Sequence, residues 1–237
     1  MLLEVDGLNT YYSESRVLQG MSLKVDQGEI VALLGRNGMG KSTTLKSIMG
    51  LITPRSGTVI YRDEDITGYP PYKVANAGIG YVPEERWIFP TLTVLENLLM
   101  GIKGGKIDKE NPNAWTVEKI FEHFPSLEKR QKSKGANLSG GEQQMLAVGR
   151  SLMGNPDLIL VDEPTEGLAP LLRREVRDML ESISKTGVSI LLVEHNFKVA
   201  MSLARRAYVM KKASCAFAGT VEELATRDDI RAKYLEV

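Results

Sequence analysis

The sequence has 237 residues, of which 43% are hydrophobic and 25% are charged, as in ordinary globular proteins. Its 30 Lys and Arg residues balance its 30 Asp and Glu residues, so the bulk charge gives no reason to expect a nucleic-acid partner. The single cysteine, Cys215, cannot form an internal disulfide, and we interpret it as a small buried residue. With no signal sequence and no apolar run near the roughly 20 residues that span a bilayer, we expect a cytoplasmic protein.

The elements predicted in chain order indicate an α/β protein with two kinds of sheet. The first apolar segments are joined by polar turns without helices, which favours an antiparallel sheet. They are Leu2–Val5, Ser22–Val25 and Thr58–Tyr61. The other apolar segments alternate with helical patterns and predict a mostly parallel sheet with helices on its faces. They are Ile30–Leu34, Ile79–Val82, Leu158–Val161, Ser189–Val193 and Tyr208–Met210.

Helical patterns dominate the middle of the sequence, from about Leu95 to Asn155, and the polar stretch Lys103–Pro112 interrupts them. We therefore predict an α-helical subdomain at residues 95–155, inserted into a core that residues 1–94 and 156–237 form together. Outside this insert, the apolar spacing from Leu172 to Ile183 predicts a further helix.

The segment that follows the strand at Ile30–Leu34 fits the phosphate-binding pattern G-x-x-x-x-G-K-[ST] and precedes a predicted helix. It reads Gly35-Arg36-Asn37-Gly38-Met39-Gly40-Lys41-Ser42. Glycines permit backbone conformations in which successive N–H groups point inward, and the helix N-terminus favours an anion. We expect Lys41 to reach the β- and γ-phosphates of a nucleotide and Ser42 to bind Mg²⁺ through its hydroxyl.

The strand at Leu158–Val161 ends in two adjacent acids, Asp162 and Glu163. Because side chains alternate along a strand, the two carboxylates face different ways. Asp162 is then placed to hold Mg²⁺, while Glu163 addresses the water that attacks a phosphate. A strand that ends in Asp-Glu without a phosphate-binding loop is about as often an exposed turn, so the pairing of the two motifs carries this interpretation.

The most specific element is the pentapeptide Leu138-Ser139-Gly140-Gly141-Glu142. Ser139 is a good N-cap for the helix predicted to follow, and Gly154-Asn155-Pro156 ends that helix. The glycine pair lets backbone N–H groups approach an anion closely.

In this order and spacing, the P-loop, the pentapeptide and Val161-Asp162-Glu163-Pro164 resemble the nucleotide-binding domain of ABC proteins over essentially the whole chain. The resemblance implies a P-loop NTPase core of mixed sheet with helices, together with the antiparallel β subdomain and the helical insert. It implies ATP and Mg²⁺ as cofactors, with Thr43 and Glu142 among the residues that bind the nucleotide. It also implies a head-to-tail dimer, in which Ser139, Gly140 and Gly141 of one subunit meet the γ-phosphate bound by the other.

Further positions match the same family. Tyr12 stands where the family has an aromatic residue that stacks on adenine, and Tyr11 is the alternative for that role. His195 matches a switch histidine near the γ-phosphate, whereas we place His123 at the surface. Glu84 stands where the family usually has glutamine, and it can still accept hydrogen bonds from water bound to Mg²⁺.

Other segments narrow the resemblance to the ATPases of high-affinity branched-chain amino acid importers. They are Val82–Arg86, Ile88–Pro90, Glu96–Leu99, Gly141–Leu146 and Glu166–Pro170. Within the last segment, Ala169 replaces an aspartate of many ABC proteins but is at home in this group. The resemblance implies two ATPase chains, two membrane permeases and an extracytoplasmic solute-binding protein, with the ATPases on the inner face of the membrane. We expect the surface around Glu85–Pro90 to receive a permease helix.

Alternatives remain open for the cargo and for the function. The P-loop and Pro164–Gly167 also resemble the urea branch, and related systems carry short amides or aromatic acids. A soluble ABC ATPase of DNA repair or translation usually has two cassettes or long coiled coils, which this sequence lacks. An inactive regulatory cassette is disfavoured because Lys41, Asp162, Glu163 and His195 are all present.

Overall fold

The first sheet in the computed structural model, which describes residues 1–105 and 113–235, is the predicted antiparallel one. Its strand order is β2-β1-β4-β5, with bounds β1 Leu3–Tyr12, β2 Ser15–Val25, β4 Ser56–Tyr61 and β5 Glu64–Asp65. β1 continues well past the predicted end at Val5, because the chain passes Gly7 at a φ of 60° and resumes pairing after a register shift. A bulge of this kind interrupts the apolar alternation on which the prediction depends.

The second sheet has the order β10-β9-β3-β8-β7-β6. Its strands are β3 Ile30–Leu34, β6 Ile79–Val82, β7 Leu158–Asp162, β8 Ser189–Glu194, β9 Arg206–Lys211 and β10 Ser214–Thr220. All neighbours pair in parallel except β9 and β10, which are antiparallel. Every residue of β3, β7 and β8 is buried, as expected for parallel strands covered on both faces. β10 is not among the predicted strands; its apolar run, Cys215–Ala218, is short, and its residues are only partly buried.

Helices cover the sheets and fill the middle of the chain. Those outside the middle region are α1 Lys41–Ile48, α2 Pro71–Ala77, α7 Pro170–Ser184, α8 Phe197–Leu203, α9 Val221–Ala225 and α10 Asp228–Tyr234. Those of the middle region are α3 Val94–Leu99, α4 Val117–His123, α5 Pro125–Lys129 and α6 Gly140–Leu152. Most of the predicted interruption at Lys103–Pro112 lies outside the described residues, except for a short 3₁₀ turn at Lys103–Gly105.

Two hydrophobic clusters lie on opposite faces of the central sheet. One fills the space under the antiparallel sheet and α1, and it contains Val5, Leu33 and Leu45. The other joins the middle helices to the sheet, with Leu146 of α6 in the same cluster as Val161 of β7. The boundary of the helical subdomain at residues 95–155 stays a prediction, but its inner faces share a core with the sheet.

Two expectations about burial, for His123 and for Cys215, need correction. His123 is partly buried: its Nδ1 lies 2.9 Å from the Ser182 hydroxyl, and its ring centroid lies 5.0 Å from that of Trp115. The charged residues around it in the sequence suggest a solvent-facing helix, but His123 is on the face that packs against Trp115. Cys215 is only half-buried rather than buried, because it lies in the partly exposed edge strand β10.

Candidate active site

Polar residues collect where β3, β7 and β8 end, and parallel strands bring these ends to one edge of the sheet. Residues 35–40 follow β3, Glu163 follows β7 and His195 follows β8. The carboxyl edge of a parallel sheet is the usual place for ligand binding in α/β proteins. The topology therefore brings together three segments that are far apart in the sequence.

The loop between β3 and α1 is shaped by glycines. Gly38 and Gly40 have φ values of 78° and 102°, in the left-handed region that favours glycine. A Cβ atom on Gly40 would lie 2.8 Å from the Leu18 side chain and 2.9 Å from the carbonyl oxygen of Val17. No side chain caps the N-terminus of α1, so its first N–H groups are directed at the cavity without competition from a cap.

Lys41 is the charged centre of this loop and only 3% of its surface is exposed. Its Nζ donates to the carbonyl oxygens of Gly35 at 2.8 Å and Arg36 at 3.2 Å. It also lies 3.0 Å from the Glu163 carboxylate. An ammonium group has three N–H donors, and these acceptors fix the lysine tip at the mouth of the loop.

Glu163 sits between two basic groups at the end of β7. Its backbone has a φ of 44°, and its N–H donates to the carbonyl of Val193 on β8 at 3.0 Å. Its carboxylate lies 3.2 Å from Nδ1 of His195, on the side away from Lys41. Burial acts to raise the pKa of Glu163, but hydrogen bonds from Glu166, Lys41 and His195 outweigh burial and lower it. The carboxylate is therefore kept ionised.

Asp162 and Ser42 form the part of the site that suits a hard cation. The Ser42 hydroxyl donates to Oδ1 of Asp162 at 3.1 Å. Burial raises the pKa of Asp162 to about 6, the bond from Ser42 lowers it, and the charges of Glu163 and Glu84 raise it. A hydroxyl and a carboxylate beside a phosphate-binding loop are oxygen donors of the kind that Mg²⁺ takes together with phosphate oxygens and water. The residues present therefore fit this ion.

A cavity of about 300 Å³ lies between the P-loop and Glu163, and it is lined by Val17, Asn37, Gly38, Gly40, Lys41, Ser42, Thr43, Glu84, Glu163 and Glu166. Two of the lining residues, Val17 and Glu166, were not among the predicted site residues. Glu166 follows Glu163 by three positions, and a turn in which Glu166 N–H donates to the Glu163 carbonyl at 3.1 Å returns it to the cavity. Its bond to the Glu163 carboxylate raises the pKa of Glu166 to about 7. Recognition of that turn would have found it from the sequence.

The other predicted residues near the loop lie at the rim. Gly35, Arg36 and His195 line an adjoining cavity of about 280 Å³. The Met39 sulfur accepts a hydrogen bond from the Lys212 N–H at 3.1 Å, so this bulky residue fastens the loop to the β9–β10 turn.

Of the two candidate stacking residues, Tyr11 is already engaged. The Arg55 guanidinium lies 4.0 Å from the centroid of the Tyr11 ring. The Tyr12 side chain is 47% exposed at the end of β1. Tyr12 is therefore the more accessible of the two rings.

Comparison with known proteins identifies the family. The family model described as ABC transporter matches residues 18–166, which is more than half of the chain. This chain belongs to the ABC transporter family. It is an ABC-type ATPase.

Similar proteins and structures cover nearly the whole cassette. The high-affinity branched-chain amino acid transport ATP-binding protein BraG of Pseudomonas aeruginosa is 40% identical over 99% of both chains. The probable branched-chain amino acid transport ATP-binding protein LivF of Archaeoglobus fulgidus is 37% identical over 94% of both. The lipopolysaccharide export system ATP-binding protein LptB of Escherichia coli is 32% identical over 98% of this chain and 96% of its own.

Solved structures agree with the fold of the cassette. A nucleotide-free ATP-binding cassette from an ABC transporter superimposes with a TM-score of 0.83 at 27% identity, over 97% of this chain and 96% of its own. The ADP conformation of MJ1267, another such cassette, gives a TM-score of 0.82 at 27% identity, over 98% of this chain and 97% of its own.

The pentapeptide Leu138–Glu142, called the signature segment below, lies apart from the cavity of its own chain. Ser139 caps α6 through a capping box: Glu142 N–H donates to the Ser139 hydroxyl at 3.3 Å, and Ser139 N–H donates to the Glu142 carboxylate at 2.8 Å. Among the described residues, no member of Ser139–Glu142 lines the nucleotide cavity. The Glu142 carboxylate takes part in the cap and lies 3.8 Å from Nε of Arg130. The groups of this segment that are left to bind a phosphate are therefore its backbone N–H groups and the Ser139 hydroxyl.

A second concave surface lies between the central sheet and the middle helices. This docking groove has a volume of about 330 Å³ and is lined by Met49, Ala75, Ile79, Gly80, Tyr81, Phe89, Met100, Gly101, Lys103, Ala147, Arg150, Ser151 and Gly154. The Trp87 side chain is 51% exposed and that of Phe89 is 42% exposed, as expected for the segment Glu85–Pro90. Arg150 donates to the Trp87 carbonyl at 2.6 Å and places its guanidinium 5.0 Å from the Phe89 ring centroid. Among the described residues, no helix is long and apolar enough to cross a membrane.

Proposed function

We propose that this cassette binds Mg-ATP in the cavity between its P-loop and Glu163, and hydrolyses it to drive uptake of a branched-chain amino acid. The observation that carries the proposal is the convergence of Lys41, Ser42 and Glu163 on one cavity. Asp162 is hydrogen-bonded to Ser42, and His195 lies beside the Glu163 carboxylate. Each group has one part of the chemistry of phosphoryl transfer to water.

Lys41 and the loop bind and orient the phosphates. The N–H groups of the loop and of α1 cradle the anion, and the Lys41 ammonium faces its terminal phosphates. Phosphate oxygens compete with the Glu163 carboxylate for Lys41, because both are anionic acceptors within reach of the same donors. ATP binding thereby loosens the ion pair and frees the Glu163 carboxylate for a water. Ser42 and Asp162, with Glu84 beside them, would hold Mg²⁺, which supplies charge neutralisation for the phosphates.

Glu163 is the general base and His195 positions it. The lowered pKa keeps Glu163 ionised, and its fixed backbone aims the carboxylate into the cavity. General-base assistance contributes on the order of 10²- to 10⁴-fold in rate. His195 bonds the second carboxylate oxygen, so the glutamate keeps one oxygen for the water.

A second ATPase subunit completes the site. Ser139, Gly140 and Gly141 lie outside the cavity of their own chain, but they present an N-capped helix start with a glycine pair. A head-to-tail dimer places this segment on the phosphates held by the partner, where helix N–H groups bind anions. The partner subunit is either a second copy or a related ABC subunit.

Two permease subunits hold the cassette at the inner face of the membrane. The docking groove supports this, because its rim exposes Trp87, Phe89 and Met100, and exposed apolar clusters mark sites of protein interaction. An extracytoplasmic solute-binding protein delivers the cargo and acts on the ATPase only through the permeases. No nucleic acid is involved.

The cargo is inferred from the similar proteins that are named for branched-chain amino acids, BraG and LivF. Urea, short amides and aromatic acids are the alternatives within import. Similarity to LptB makes lipopolysaccharide export a second candidate. The ATPase chain does not contact the cargo, so the assembled transporter must be tested.

The cassette is therefore co-expressed with its permeases, purified in lipid and assayed for phosphate release with the solute-binding protein. We expect leucine, isoleucine or valine with the binding protein to stimulate hydrolysis, whereas urea and lipopolysaccharide do not. The matched control is the same complex carrying Glu163→Gln. Stimulation by urea or lipopolysaccharide instead of the amino acids would replace the proposed cargo.

A further inference from the structure

We infer that Tyr81 is a positioning residue that links the docking groove to the Mg²⁺-side carboxylate Asp162. The inference rests on the proposed function, because the groove and the Asp162 site acquire their roles there. Tyr81 lies on β6, between the two surfaces, and its ring lines the groove.

The sheet register places Tyr81 beside Asp162. Tyr81 pairs with Leu160 on the parallel neighbour β7, and Asp162 lies two residues further along that strand. Side chains two residues apart point to the same face of a sheet, so Tyr81, Leu160 and Asp162 share one face. Burial raises the pKa of the Tyr81 phenol, and the nearby negative charge of Asp162 raises it further.

Among the described residues, the Tyr81 hydroxyl is a buried donor with no well-formed hydrogen bond, although a buried hydroxyl normally finds a partner. Asp162 is the acceptor that its surroundings offer. Ser42 occupies Oδ1 of Asp162, and a carboxylate has about four lone-pair sites, so a second donor can be accepted. A hydrogen bond with Asp162 is among the causes that raise the pKa of the Tyr81 phenol, so the two groups lie within reach of each other.

The other end of the Tyr81 side chain rests on Trp87. The two ring centroids lie 6.3 Å apart with an interplanar angle of 88°, an edge-to-face contact. Trp87 is on the exposed segment beside the groove, where its backbone φ is 45° and Arg150 holds its carbonyl. A helix that enters the groove and moves Trp87 therefore displaces the Tyr81 ring. That displacement changes the position of the Tyr81 hydroxyl relative to Asp162.

By reciprocity, a change at Asp162 must also be felt at Trp87. This direction can be tested on the full chain without permeases. The chain has two tryptophans, so Trp115→Phe leaves Trp87 as the only indole reporter. Should that variant fold poorly, the difference between the unaltered chain and Trp87→Phe gives the same signal.

The experiment titrates MgCl₂ into protein with ATP and follows Trp87 emission, while equilibrium dialysis measures ATP bound in EDTA. We expect Trp87 emission to respond to Mg²⁺. Tyr81→Phe keeps the ring contact but removes the hydroxyl, and it should weaken the apparent Mg²⁺ affinity read at Trp87 by roughly tenfold, as for loss of a hydrogen bond to a charged group. ATP binding in EDTA should stay within about twofold, since the hydroxyl faces Asp162 rather than the P-loop. The matched control, Tyr72→Phe on exposed α2, should follow the parent.

The inference would be overturned if Tyr81→Phe left both the Mg²⁺ affinity and the amplitude of the Trp87 emission change unaltered. It would also be overturned if Trp87 emission in the parent did not change with Mg²⁺. Equal effects of Tyr81→Phe and Tyr72→Phe would overturn it too. A parent that binds no ATP in dialysis overturns the proposed function and this inference with it.

Discussion

Replacement of Glu163 by glutamine tests the proposed chemistry most directly. The amide keeps the shape of the carboxylate but removes its charge and basicity. If Glu163 deprotonates the attacking water, turnover should fall about 100- to 10,000-fold, which corresponds to roughly 3–5 kcal/mol in the barrier. ATP binding should survive, because the P-loop and Asp162 are unaltered.

The same substitution has a cost in stability that the structure allows us to bound. Lys41 and Glu163 are 3% and 6% exposed, and removal of one partner from a buried pair costs about 3–5 kcal/mol when the other charge is left alone. Lys41 keeps the carbonyls of Gly35 and Arg36, and the new amide oxygen can still accept, so we expect about 2 kcal/mol. Because the pKa of Glu163 is lowered, the stability from its ionisation is present above the ordinary carboxyl pKa. It is lost as the pH falls through the lowered value.

With hydrolysis blocked and the γ-phosphate retained, the signature segment of the partner should stay on it. Size-exclusion chromatography with and without ATP should then show a dimer that accumulates in the variant and dissociates when nucleotide is removed. If the partner is a different ABC subunit, both chains must be present. Glu166→Gln is the matched control, since Glu166 lines the same cavity and an amide there can still donate to the Glu163 carboxylate. This control should lose less than about tenfold in turnover. The reasoning would be refuted if Glu163→Gln hydrolysed ATP normally, or if Glu166→Gln lost as much turnover. It would also be refuted if the amount of dimer did not depend on ATP.

Three further substitutions probe the remaining roles. Lys41→Ala should lower both ATP binding and turnover, with a loss of about 3–4 kcal/mol in the barrier, and near-normal turnover would contradict the P-loop assignment. Tyr12→Ala should weaken ATP binding by about 1–3 kcal/mol in a binding titration and spare turnover at saturating ATP, whereas the same result from Tyr11→Ala alone would move the stacking role by one residue. Trp87→Ala should lower the ratio of permease-stimulated to basal phosphate release, and an unchanged ratio with intact transport would contradict docking at the groove.

The chemistry-bearing part of this protein is predictable from the sequence because its motifs are local. The P-loop follows its strand and opens its helix as expected, and Ser139 caps α6 with Glu142 three residues later. In both cases neighbouring residues determine the conformation. Glycines allow the positive φ values, and a serine hydroxyl and a glutamate carboxylate satisfy the first N–H groups of a helix.

What the sequence does not predict depends on contacts between distant segments. The edge strand β10 has only the short apolar run Cys215–Ala218 and forms because β9 offers it a partner. His123 lies in a charged stretch, but its burial depends on Trp115 and Ser182, which only the fold brings together. Tyr81 reads as one more residue of a buried strand, and its position beside Asp162 depends on the register of β6 against β7.

The shared hydrophobic cluster beneath the middle helices has a consequence for cooperativity. Leu98, Ile120 and Leu146 of these helices belong to the same continuous core as Val82 and Val161 of the central sheet. Exposure of the helices on their own would leave that face of the sheet in water, at about 25 cal/mol for each Å² of apolar surface uncovered. The helical region and the sheet should therefore melt together, and calorimetry should give one transition whose van't Hoff and calorimetric enthalpies agree. Any pivoting of the helical region during transport then has to slide within this core rather than open it.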